Sequence, residues 1–167
     1  MNQDRIDEIL TQWQQELPQL DVAPLAVVGR VLRLAKLLEK HREKVLAKYE
    51  LNVWSFDVLA TLRRQGYPYQ LKPTDLYSLL MLSSGAMTNR IDRLEQDGLV
   101  IRLRDPSDRR SVIVQLTPKG IQLADTVMPV LLESEQKLLA LFTTPDDTET
   151  LITLLRQSLL SLEKNVT

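Results

Sequence analysis

Residues 83–120, SSGAMTNRIDRLEQDGLVIRLRDPSDRRSVIVQLTPKG, decide the fold. Ser83 or Ser84 is placed to cap a helix that stops at Gly98. On a wheel of 100° per residue, Met87, Ile91 and Leu94 fall within about 40° of one line and form a docking face. Opposite them lie Gly85, Thr88, Asn89, Asp92, Arg93 and Gln96. Arg90 lies about 70° off the apolar line, on a flank where it needs a partner of its own. After Gly98 the period changes. From Ile101 on, apolar and basic residues alternate to Arg104, as in a half-exposed strand, and Ser111–Leu116 reads as the returning strand. Between them, Asp105-Pro106 fits the start of a type I turn, and the tip is basic, Arg109-Arg110.

Working outward, Asn52 caps a helix from 53 to about 65 that stops at Gly66, and Pro73 opens a short helix over 73–81. Helix, turn and helix followed directly by a hairpin is a winged helix-turn-helix. Upstream, residues 2–17 form a helix with Ile6, Ile9, Leu10, Trp13 and Leu17 on one stripe, ended by Pro18. Residues 22–50 read as one long helix. Its first half, Val22 to Leu38, is apolar almost all round and is expected to be buried on all sides. Downstream, Thr117-Pro118 opens a helix to about Phe142 that Pro129 should bend, and Thr144-Pro145 opens a last helix over 146–164. The fold class is mainly α. Residues 1–50 are read as two N-terminal helices, 51–120 as the winged helix-turn-helix unit, and 121–167 as C-terminal helices; the terminal helices carry more apolar surface than one small wing unit can cover and are expected to form a dimerisation region.

Composition narrows the function. The chain of 167 residues holds no Cys, which excludes disulfides, thiolate nucleophiles and Cys-zinc sites. His41 is the sole His, so no ordinary zinc set forms, and no nucleophile finds a base beside it. His41 itself is read as a solvated helix residue. Five scattered glycines rule out a phosphate-cradling loop. No cofactor, no metal and no enzymatic activity are expected. The polar start is no signal peptide and no apolar run spans a membrane, so the expected location is the cytoplasm. Leu is the commonest residue, at 33 of 167, which favours helix.

Net charge is −1, yet residues 22–120 carry 17 basic and 10 acidic residues, while each end carries net −4. A basic centre between acidic ends is expected where one region meets a polyanion. Six Arg and no Lys lie between Met87 and Arg110, the preference of planar, bidentate contacts. Ser84, Gly85, Thr88, Asn89 and Arg93 are the expected major-groove set. Arg109 and Arg110 suit the minor groove, whose negative potential favours inserted Arg.

This stretch resembles the winged helix-turn-helix core of the MarR family of bacterial transcriptional regulators. The N-R-x-x-x-L-E run, the G-L-V entering the wing, the D-R-R tip and the L-T-x-x-G after it carry the likeness, which extends over almost the whole chain. Trp13, L-D-V at 20–22, F-D-V-L around Asp57 and L-R-R-x-G-x-P-Y at 62–69 are similar to the urate-responsive, PecS-like branch of that family. The resemblance implies a ligand set of Trp13, Asp57, Arg90 and Arg102. Each also has a plainer reading: a core Trp, a helix-surface acid, an ion pair of Arg90 with Asp57 or a neighbour, and a wing phosphate contact. It further implies a homodimeric regulator, a repressor, on double-stranded DNA with a pseudo-palindromic operator. A small anion, urate or a related purine, would pair with Arg90, stack near Trp13, disturb Asp57 and lower DNA affinity. Two rivals stand beside this: a MarR-type regulator answering phenolic compounds, and a winged helix that binds protein without DNA.

Overall fold

The computed structural model describes residues 3–80, 84–106 and 111–166. Ser83 and the wing tip lie outside them. Helix α1 (Arg5–Glu16) begins at Asp4, whose carboxylate accepts the N–H groups of Ile6 and Asp7, while Asp7 reciprocates toward Asp4 N–H. It packs along α2 (Ala23–Leu46) through Ile6, which sits against the bare Cα of Gly29. Arg30 of α2 fastens it by ion pairs to Asp4 at 2.8 Å and Asp7 at 2.6 Å.

The long helix ends earlier than the sequence implied. After Leu46 the chain makes a 3₁₀ turn, Ala47–Tyr49, and Glu50 turns left-handed at φ 57°. The reason lies in the core: this reversal buries both Leu46 and Leu51, and Leu51 N–H donates to Leu46 O. Asn52 then caps α3 (Val53–Arg63) as expected, with Ser55 closing a reciprocal capping box. Helix α3 is the central post. Phe56, Val58, Leu59 and Leu62 are all at most 1% exposed.

Helices α4 (Pro73–Leu79) and α5 (Ser84–Gln96) form the helix-turn-helix pair. The wing strands, β2 (Val100–Arg104) and β3 (Val112–Leu116), pair antiparallel with Val100 opposite Leu116 and Arg104 opposite Val112. A third strand, β1 (Gln70–Leu71), was not expected; it pairs with Gln115 and Val114, giving the order β1-β3-β2. The facing of β2 also differs from the simple alternation. Ile101 and Leu103 are the exposed side chains, while Val100 is buried and Arg102 half-buried against α5.

Thr117 caps α6 (Pro118–Leu139) by accepting Gly120 N–H at 3.0 Å, and Pro129 sits inside this helix without ending it. Gly120 is there because a Cβ would lie 2.1 Å from the carbonyl oxygen of Leu99. Helix α7 (Pro145–Val166) starts behind Thr144, whose hydroxyl and N–H both engage Asp147. One core joins α3, α5, the sheet, the end of α2 and the first half of α6. The apolar half of α2, expected to be buried on all sides, is covered by α1 on one side only: Val27 is 67% exposed and Leu32 59%. No described helix is long and apolar enough to cross a membrane.

Candidate nucleic-acid interface

Helix α5 is set by its apolar side. Ile91 and Leu94 are each 1% exposed, as the wheel required, while Thr88, Asn89 and Arg93 face outward. Ser84 and Gly85 occupy the first turn of α5, but their side chains, like Met87 of the expected docking face, fall outside what is described. Arg109 and Arg110 also lie outside the described residues. What remains is a helix of small and polar side chains whose exposed face is free of large apolar groups, a shape that fits a groove.

The wing is fastened to this helix through Arg102. Its guanidinium meets Asp92 at 2.5 Å and Glu95 at 2.5 Å, and its backbone N–H donates to Glu95 at 2.9 Å. Arg102 is therefore neither a bare phosphate contact nor an open ligand residue in this state. Asp92, counted on the groove face from the wheel, is turned to the wing instead. A forked guanidinium suits this double grip, since it presents parallel donors to two carboxylates.

The other implied ligand residues have separate partners. Arg90 is half-buried, with its guanidinium 5.4 Å from the ring centroid of Trp54 on α3, a cation–π contact. It makes no salt bridge among the described residues, so the Asp57–Arg90 ion pair does not form. Asp57 instead accepts from Arg42 of α2 at 3.0 Å. Arg42 reaches across to Glu135 of α6 at 3.4 Å, and its Nε is buried with no hydrogen bond. Asp57 thus sits at a polar seam of α2, α3 and α6, beside a cleft of about 350 Å³ that also takes in Ala60, Arg64 and Met128. A second cavity, of about 510 Å³, opens on the other side of Arg42 between Leu38, Val53 and Leu138. Trp13 is 43% exposed on α1 and shares no described contact with Asp57, Arg90 or Arg102. No hydrogen bond, ion pair or ring contact among the described residues joins any two of the four.

Three residues escaped the sequence reading. Trp54 stands two positions after the Asn52 cap and gives Arg90 its surface. Arg42 had no local signal, because its carboxylates are 15 and 93 residues away. His41 is half-buried and bonded to Ser134 at 2.7 Å, joining α2 to α6 rather than standing in solvent. No group of three or more metal-ligating side chains occurs among the described residues.

Comparison with known proteins agrees with this geometry. The MarR family model matches residues 51–112, the span from Leu51 to the first residue of β3. The HTH-type transcriptional regulator PecS of Dickeya dadantii (strain 3937) is 40% identical over 143 residues, 86% of each chain. A mutant MarR from E. coli, solved in complex with operator DNA, superimposes with a TM-score of 0.72 at 26% identity, over 94% of this chain and 99% of that one. BpsR of Bordetella bronchiseptica, whose DNA binding is regulated by 6-hydroxynicotinic acid, gives a TM-score of 0.70 at 27% identity over 80% of this chain and 94% of its own. The chain belongs to the MarR family of winged-helix, DNA-binding transcriptional regulators, and is a regulator rather than an enzyme.

Proposed function

We propose that the chain is a homodimeric repressor whose hold on a pseudo-palindromic operator is lowered by a small aromatic anion, urate or a related purine. Residues 51–120 form the DNA-binding unit, and residues 1–50 with 121–167 form the dimerisation region. Ser84, Gly85, Thr88, Asn89 and Arg93 read the major groove, and Arg109 and Arg110 enter the minor groove. The observation that carries the reading is Arg90. It stands on the recognition helix, off the groove face, with an aromatic surface beneath it and no carboxylate partner among the described residues. A flat anion meets both needs there, a charge for the guanidinium and a ring for Trp54.

The release mechanism follows from the ion pairs. Arg102 holds the wing to α5 through Asp92 and Glu95, and Arg42 ties Asp57 to the α2–α6 seam. A bound anion draws on Arg90 and Arg102 and adds negative charge beside Asp57. It thereby loosens the links that fix the recognition helix. Trp13 joins the ligand only through a change of packing or across the dimer. The resemblance to PecS and the heteroaromatic acid that regulates BpsR support an effector of this class.

Fluorescence anisotropy on the DNA upstream of its own gene, with a urate titration, tests the reading. Urate releases the parent protein. Arg90→Ala keeps most of its DNA affinity but loses about ten- to a hundredfold in urate affinity, the worth of one charge-assisted contact. Asp57→Asn binds urate without releasing DNA. Release of the parent by simple phenols and not by urate would move it to the phenolic class. An Arg90→Ala variant that responds like the parent would place the pocket elsewhere.

A further inference from the structure

We propose that Lys72 and Asp105 form a clamp that fixes the wing against α4, and that both are positioning residues for DNA binding. Lys72 is the wrong residue for its local site. It is the N-cap of α4, in extended backbone and with no side-chain cap bond. That position favours Ser, Thr, Asp or Asn, and a cation there opposes the positive end of the helix dipole. The side chain is spent elsewhere: Lys72 Nζ lies 2.9 Å from Asp105 Oδ2.

Asp105 is only 5% exposed, so its carboxylate requires a counter-charge. It directly follows β2, where its N–H donates to Ser111 O at 3.0 Å and closes the described base of the hairpin. Lys72 in turn directly follows β1, which is hydrogen-bonded to β3. The wing is therefore stitched to the first helix of the pair at Asp105 and to the second at Arg102. Together the two links fix the angle between the wing and the recognition helix before DNA arrives.

The test is operator binding across a salt series at a temperature where every variant is folded by circular dichroism. Lys72→Met and Asp105→Asn each weaken binding about tenfold and flatten the salt slope by about one contact or more, because a misplaced wing loses phosphate. The reversed pair, Lys72→Asp with Asp105→Lys, recovers most of the affinity. If Asp105→Asn tightens binding while Lys72→Met weakens it, Lys72 is a phosphate contact that Asp105 merely restrains, and the clamp is wrong. If both single variants bind like the parent, the pair is structural only. Should Asp105→Asn fail to fold, the reversed pair decides: an acid at position 72 repels DNA if that side chain faces phosphate, and is tolerated if it faces position 105.

Discussion

The winged unit and the terminal helices are built from similar apolar residues but end in opposite states. In the first, Phe56, Leu59, Leu62, Val100 and Val114 are sealed from solvent within one chain. In the second, Val27, Val28, Leu32 and Leu37 of α2 and Leu154, Leu159 and Leu162 of α7 all stay more than half exposed. Isolated surface Leu needs no explanation, but two long helices sharing such faces do. The winged unit is finished in a single copy; the terminal helices leave their apolar faces open. In the proposed homodimer a second copy of the chain would cover them by the same self-complementary patch, which is the geometry of a twofold axis.

The contrast can be broken most sharply from its sealed side. Phe56→Ala should cost about 3–5 kcal/mol in urea unfolding, since it leaves a void in the post around which the wing unit packs. An undiminished midpoint would mean that the core does not hang on α3. On the open side, Leu32→Glu with Leu159→Glu should leave each chain folded but monomeric by sedimentation. Operator affinity should then fall at least about a hundredfold, near 2.8 kcal/mol, because two linked half-sites about 10 bp apart become one. A dimer that survives both charges would show that these faces are not its interface.

Between the two lies the Arg102 link. Arg102→Met strands Asp92 and Glu95 and should lower operator affinity about tenfold, with Arg102→Lys recovering only part, as a point charge cannot hold two carboxylates in a fork. The smallest effect concerns α1. Desolvation pushes the Asp4 carboxyl up, but bonds from Asp7 and Ile6 N–H and from Arg30 outweigh it and hold it below its usual value. A lowered carboxyl contributes stability above the ordinary carboxylate range and loses it as pH falls through the folded value. In a Trp54→Phe background, Trp13 fluorescence should report α1 loosening in acid below about pH 4, and Asp4→Asn should remove that transition. An acid transition that Asp4→Asn leaves unchanged would show that the Asp4–Arg30 contacts do not hold the helix.

Much of the winged unit was legible because its signals are local. Asn52, Thr117, Pro73 and the change of period after Gly98 each act within a few residues. Strand β1 was not legible: two residues carry no period, and they become a strand only by meeting β3 some 45 residues later. The end of α2 was misread because charged residues as far as Glu50 suit a helix, and only burial of Leu46 and Leu51 turns the chain. For the site, the wheel set Arg90 on a flank beside the apolar line, but it could not show Trp54 beneath it. It also left Asp92 on the open face opposite the apolar line, since a wheel knows one helix and not the strand that brings Arg102 beside it. Asp57 was singled out without its partner, because Arg42 reaches it from another helix, α2, and is shared there with Glu135 of α6.

Gly120 has a consequence for how such a regulator can move. Where its Cβ would be, the Leu99 carbonyl sits, and that same oxygen accepts the N–H of Thr117 at 3.1 Å. The start of α6 and the root of the wing therefore have no play between them: a tilt of one is a tilt of the other. The α2–α3–α6 seam is packed differently: Arg42 and His41 make polar contacts there, with cavities beside them. In the proposed release, the seam is then the joint at which wing and α6 would swing as one lever. Gly120→Ala would bend the lever itself, and should uncouple operator affinity from any effector while leaving both separately measurable.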